Sequence, residues 1–232
     1  MAEKQRKLTK KEQKRLELIQ QKRAELEAEG FVYHEKLFGA VYINVVGALA
    51  MIPYELLMLA VFICINASTG KSWQAFRMRN YFPSFVLFMI AFLISAAVLV
   101  VIHELIHGIC FAHFVKGGWE SVDFGFNTTA FAPYCTCSEP LTKRGYIISA
   151  LMPTIVLGFI PCIASAFTGN SFILLLGLTL IFGGAGDFMM VYSMLKIKTK
   201  NRDVLFIDHP TEIGSMYFIR ETEKSNLSIS EK

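Results

Sequence analysis

The sequence predicts an all-α integral membrane protein, a bundle of four transmembrane helices, and three observations carry that prediction. Of its 232 residues 53% are hydrophobic and 18% charged, with mean hydropathy +0.44, a balance more apolar than soluble domains show. Four segments, about 42–66, 83–111, 146–167 and 172–195, have the roughly 20 apolar residues that cross a bilayer. The third and fourth are separated only by TGNS at 168–171, so they form an antiparallel hairpin whose turn lies outside the membrane core. The 20 Phe, 10 Met and 7 Pro exclude a disordered, collagen-like or low-complexity chain.

Ahead of the first span, residues 1–30 form a charged cytosolic helix, because strong helix formers run without Gly or Pro up to Gly30. No apolar core follows a short basic start, so this stretch is not a cleavable signal peptide. Residues 31–195 then make a membrane-embedded domain and 196–232 a polar cytosolic tail. Glu55, within the first span, must be paired or face water. Pro53, Pro153 and Pro161 mark kinks in the first and third spans.

An even number of spans puts both termini on one side. Lys36, Lys116, Lys143, Arg144, Lys196, Lys198, Lys200 and Arg202 flank the spans there, against Lys71, Arg77 and Arg79 on the other side. The termini are therefore expected in the cytosol, on a multi-pass protein of the cell membrane. The loop 114–145 is then cytosolic too. Its SVDFGF and AFAPYCTCSEP stretches predict a short strand-like hairpin around Asn127 and Pro133, between the second and third spans. A net charge of +4 reads as membrane-flanking charge, and no nucleic-acid partner is expected. Cys64, Cys110 and Cys162 sit in apolar runs, which leaves Cys135 and Cys137 as the cysteines with a role beyond packing. Matches to N-x-S/T at Asn66, Asn127 and Asn226 are too common a pattern to use.

The second span ends in VVIHELIHGIC, which contains H-E-x-x-H. Residues four apart share a helix face, so His103 and His107 can place two imidazole nitrogens on one zinc ion. Glu104, rotated beside them, can take a proton from the attacking water and hand it to a leaving amine. Ionisable groups are costly inside a hydrophobic span, and their presence here at this spacing points to function. A catalytic zinc wants a third protein ligand and an open position. Asp187 is the strongest candidate, the single acidic residue in its span and, counted at about 1.5 Å per residue, in the same half of the bilayer as the histidines. Gly183, Gly184 and Gly186 let helices approach closely or let the chain bend beside the metal. His113 is a rival, at the spacing of H-E-x-x-H-x-x-G-x-x-H, although Cys110 occupies the glycine position of that pattern. Cys135, Cys137 and Glu139 form a looser C-x-C-x-E set that lines or gates the cleft, Asn127 is a candidate oxyanion stabiliser, and His209 is read as solvated in the polar tail.

Around these residues the chain resembles intramembrane zinc metalloproteases of the site-2 protease type. It is similar most of all to small bacterial membrane proteins grouped as zincin peptidases of unknown substrate. The resemblance covers about residues 83–195 and rests on HELIHG, PYCTCSEPL, ALMPTIVLGFIP and GGAGD. It implies that His103, His107 and Asp187 are zinc ligands and Glu104 the catalytic acid/base, with a membrane protein or peptide as substrate and the lipid bilayer as surroundings. In that family an Asp–Gly pair is usual, whereas Phe188 follows Asp187 here. The expected function is an integral membrane zinc metallopeptidase that hydrolyses a peptide bond in or near a membrane segment. The alternative is a non-catalytic multi-pass scaffold or metal-binding partner protein.

Overall fold

A computed structural model describes residues 10–69, 85–127, 132–200 and 202–221 of the chain. Three helices in it are long and apolar enough to cross a membrane, Val41–Ser68, Phe85–Phe114 and Lys143–Thr168. A fourth crossing exists only as a pair, Ser171–Gly183 and Ala185–Leu195, bent by 45°. Each apolar run foreseen from composition lies on one of these stretches. Lys71, Arg77, Arg79, Pro83, Asn226 and the first nine residues lie outside the described residues.

In chain order the elements are α1 (Lys10–Ala28), β1 (Val32–Leu37), α2 (Ala40–Ser68) and α3 (Phe85–Phe114), then β2 (Val122–Asn127), β3 (Ala132–Cys137) and β4 (Leu141–Thr142). They continue with α4 (Lys143–Thr154), a π-helical turn (Ile155–Phe159), α5 (Ile160–Thr168), α6 (Ser171–Gly183), α7 (Ala185–Leu195), β5 (Arg202–Asp208) and β6 (Gly214–Glu221). The π turn precedes Pro161, which has no N–H to return to the ladder, so one hydrogen-bond step is lost there.

This architecture overturns the all-α bundle of four transmembrane helices. An antiparallel sheet of order β1-β6-β5-β4 draws on both ends of the chain, and β2–β3 make a second, two-stranded sheet. The hairpin between the second and third spans is thus present, with Val122 opposite Cys137 and Phe126 opposite Pro133. The four-stranded sheet escaped composition because its strands are short and both β1 and β4 pair with strands distant in sequence. Leu37 pairs with Gly214 and Val32 with Ile219, so β1 is stabilised only once the far end of the chain has arrived. The segment read as a polar tail carries alternation that shows its sheet character, since Val204 and Phe218 are buried between more exposed neighbours.

Three apolar clusters hold the molecule together. Met51, Met58, Phe62, Cys162, Leu174 and Ile181 join α2, α5 and α6. Within that layer Asn66 is buried and its amide donates to the carbonyls of Phe62 (2.9 Å) and Ala166 (3.0 Å), tying α2 to α5. A second cluster, with Phe111, Cys137, Tyr146, Val191, Met194 and Phe206, joins the apolar helices to the sheets. The third packs Ile19 and Leu26 of α1 on Phe31, Ile207, Met216 and Phe218. The N-terminal helix is therefore docked on the sheet by one face and is not a freely solvated extension.

Candidate metal centre

Inside α3 the burial pattern inverts the usual one. The buried residues of this apolar helix are Phe88, His103, His107, Gly108 and Phe111, while large apolar side chains such as Val98, Val101 and Ile109 are exposed. A helix in lipid turns its apolar faces outward and keeps its polar residues for the bundle interior. That stripe carries both histidines, one helical turn apart, toward α7.

Asp187 approaches from the first turn of α7. The bend at Gly184 aims that turn, and it needs a residue without a side chain. A Cβ at Gly184 would stand 2.0 Å from Thr154 Oγ1. His103 Nε2 and His107 Nε2 are 3.1 Å apart, and Asp187 Oδ2 lies 3.3 Å from the first and 3.5 Å from the second. Donors about 2.0–2.1 Å from one tetrahedral zinc are separated by roughly 3.3 Å, so the three edges have the size of one face of a zinc coordination shell. Nitrogen, nitrogen and carboxylate oxygen are also a donor set suited to zinc. His107 Nδ1 donates to the Ser149 carbonyl at 2.8 Å, which fixes the tautomer that leaves Nε2 free to ligate. Both histidines are buried and Asp187 is half-buried at the cleft.

A cleft of about 570 Å³ opens over these atoms. Glu104 lines it beside the histidines and accepts a hydrogen bond from the Cys135 backbone N–H, which couples its carboxylate to β3. Pro133 and Tyr134 continue the β3 wall, and the turn 208–214 forms another. Asp208 closes the corner between these parts. One of its oxygens accepts from the Tyr146 hydroxyl of α4, the other from the Cys137 N–H at 3.2 Å. Burial pushes its carboxyl above the usual carboxylate range, with the Tyr146 hydroxyl and then Arg15 pulling the other way.

The remaining sequence candidates separate clearly. His113 is exposed at the end of α3, against the Phe114 ring, and is not among the converging donors. Cys135 lines the cleft and Cys137 is fully buried behind it; burial pushes both thiols up, Cys137 to about 12, and neither joins the donor group. Glu139 accepts from Gly117 N (3.1 Å) and Ser121 Oγ (2.8 Å), closing a loop and not the cleft. Glu55 is half-buried on α2, outside the cleft lining. Asn127 stands opposite Ala132 at the connected end of the β2–β3 hairpin.

Sequence reasoning missed Tyr146, Asp208 and His209 as cleft residues. His209 is not simply solvated, since its Nδ1 accepts from the backbone N–H groups of Thr211 (3.4 Å) and Glu212 (2.9 Å). The signal available was a carboxylate closing an apolar alternating run, RDVLFID, in a stretch otherwise read as tail.

Residues 96–201 match the family described as "Putative zincin peptidase". The matched stretch runs from α3 to the end of α7 and contains His103, Glu104, His107 and Asp187. It supports a zincin-like metallopeptidase and, with it, zinc. No curated protein matches the chain. No solved structure matches it either.

Proposed function

We propose that this chain is an integral membrane zinc metalloendopeptidase of the site-2 protease type, hydrolysing a peptide bond in or near a membrane segment of a protein substrate. One observation carries the reading. Two histidines of α3 and an aspartate of α7 converge within 3.1–3.5 Å of one another, where three ionisable side chains would otherwise be a heavy burden on a membrane bundle. His103, His107 and Asp187 would hold the zinc ion. Bound there, zinc would polarise the scissile carbonyl and make water a stronger nucleophile near neutral pH.

Glu104 does the proton work. Its carboxylate, oriented by the Cys135 N–H, takes a proton from the attacking water and returns it to the leaving amide nitrogen. His103 and His107 stay neutral ligands, the latter oriented through Ser149. The β3 wall and the 208–214 turn border the cleft and orient the substrate backbone entering it. With both termini in the cytosol, the cleft draws its water from the cytosolic side. The substrate is a membrane protein or peptide, and the bilayer is the working environment.

The test uses proteoliposomes and quenched-fluorescent peptides that carry single-span segments. Glu104→Gln keeps its zinc and loses hydrolysis by about 10²–10⁴-fold, the usual contribution of a general acid–base. A Glu104→Gln protein that restores the phenotype of a deletion strain would refute the enzyme and leave the scaffold reading.

A further inference from the structure

A second pocket, of about 470 Å³, lies where the four-stranded sheet meets the first turn of α4, apart from the metal centre. Its wall carries four cationic side chains, Lys143, Arg144, Arg202 and Arg220, against two acidic ones, Glu29 and Asp203. The charges are not evenly answered. Arg220 pairs with Asp203 (2.9 Å) and Arg202 with Glu221 (2.8 Å). Lys143 Nζ donates to a neutral carbonyl, that of Ile197, at 2.8 Å. Arg144 is exposed and has no ion-pair partner among the described residues. Lys143 and Arg144 therefore stand without an ion pair among the described residues, against the single carboxylate of Glu29 on the same wall, and Lys198 and Lys200 flank the pocket residue Thr199.

Position narrows the ligand. Lys143 opens the apolar stretch Lys143–Thr168, and α7 ends at Leu195, a few residues before Thr199. The pocket thus sits at the level where the membrane helices emerge, the depth of lipid headgroups and not of the aqueous phase beyond them. Its far wall is held in place. The Arg220 guanidinium lies 4.4 Å over the Phe31 ring and donates to the Glu29 carbonyl at 3.3 Å. Basic pockets at the cytosolic ends of membrane helices bind phosphate-bearing headgroups, each surface cation adding to the attraction for an anionic leaflet.

We infer that this pocket seats the phosphate of an anionic lipid headgroup, with Lys143 and Arg144 as its principal cations. The site binds independently of zinc and of peptide hydrolysis.

The experiment follows the thermal unfolding midpoint of the full-length protein in detergent during titration with short-chain phosphatidylglycerol. Phosphatidylcholine of the same chain length and inorganic phosphate are titrated in parallel. Phosphatidylglycerol raises the midpoint, saturably and less so at high salt, while the other two do not at matched concentration. Lys143→Ala with Arg144→Ala weakens the apparent affinity roughly thirtyfold, two surface cations' worth. Arg144→Glu, which breaks no hydrogen bond among the described residues, weakens it at least as much in a protein of unchanged fold. Lys116→Glu, the same change of two charges made outside the pocket, leaves it unchanged. Equal stabilisation by phosphatidylcholine would mean that the tails and not the headgroup bind. Equal stabilisation by inorganic phosphate would make this a site for a free anion. Undiminished phosphatidylglycerol binding by both charge variants would place the headgroup elsewhere, and each of these three results overturns the inference.

Discussion

His107 is engaged at both ring nitrogens, through Nδ1 by the Ser149 carbonyl and through Nε2 by the converging donors. That double constraint gives the centre its geometry. Asp208 plays a comparable part on the cleft wall, where it joins α4, β3 and β5. Tyr146→Phe removes the hydroxyl and leaves a buried carboxylate short of a donor, so we expect destabilisation of about 1–3 kcal/mol in chemical unfolding. Burial, reinforced by Arg15, pulls His209 below the ordinary imidazole value, with Glu35 and Glu212 opposing. A histidine whose folded value is depressed supplies stability above its unfolded value of about 6.5, and that stability is lost as pH falls through it. The unfolding midpoint is accordingly expected to drop as pH falls below about 6.5. His209→Asn, which keeps an acceptor for the Thr211 and Glu212 N–H groups, flattens that part of the profile.

At the scale of elements, α7 depends on the bend before it. Gly184→Ala drives a methyl into Thr154 Oγ1 and is expected to destabilise by about 1–3 kcal/mol, as overpacking does. Thr154→Ala removes the obstacle, so the double variant recovers most of that loss in a mutant cycle; strict additivity would show that the two sites are not in contact. Whole helices were legible in the sequence for a simple reason. A run of twenty or more apolar residues identifies a membrane crossing without reference to any partner. The H-E-x-x-H spacing is equally local, since both histidines belong to one helix face. Strands β1, β5 and β6 were not legible in that way, being six to eight residues long, with β1 defined by pairing to the far end of the chain and β5–β6 a short hairpin in a stretch read as tail. Tyr146 and Asp208 were missed for the same cause, because neither marks a cleft until β5 lies against the start of α4.

In the whole molecule a bundle of apolar helices lies under a sheet-and-helix cap, with the cleft between them. Ile19 and Leu26 bind α1 to the sheet face that bears Ile207 and Phe218. Removing residues 1–29 therefore uncovers a contiguous apolar face, and the shortened protein is expected to aggregate in detergent at concentrations where the full chain is monodisperse by size-exclusion chromatography. A monodisperse shortened protein would contradict that packing. The proposed zinc site, however, takes two histidines from α3 and one aspartate from α7. Zinc content per chain, by elemental analysis of detergent-purified protein, tests it directly when wild type, His103→Ala and Asp187→Ala are compared side by side. About one zinc per wild-type chain is expected, lost in both variants. Zinc retained by folded Asp187→Ala, or absent from folded wild type, would contradict it.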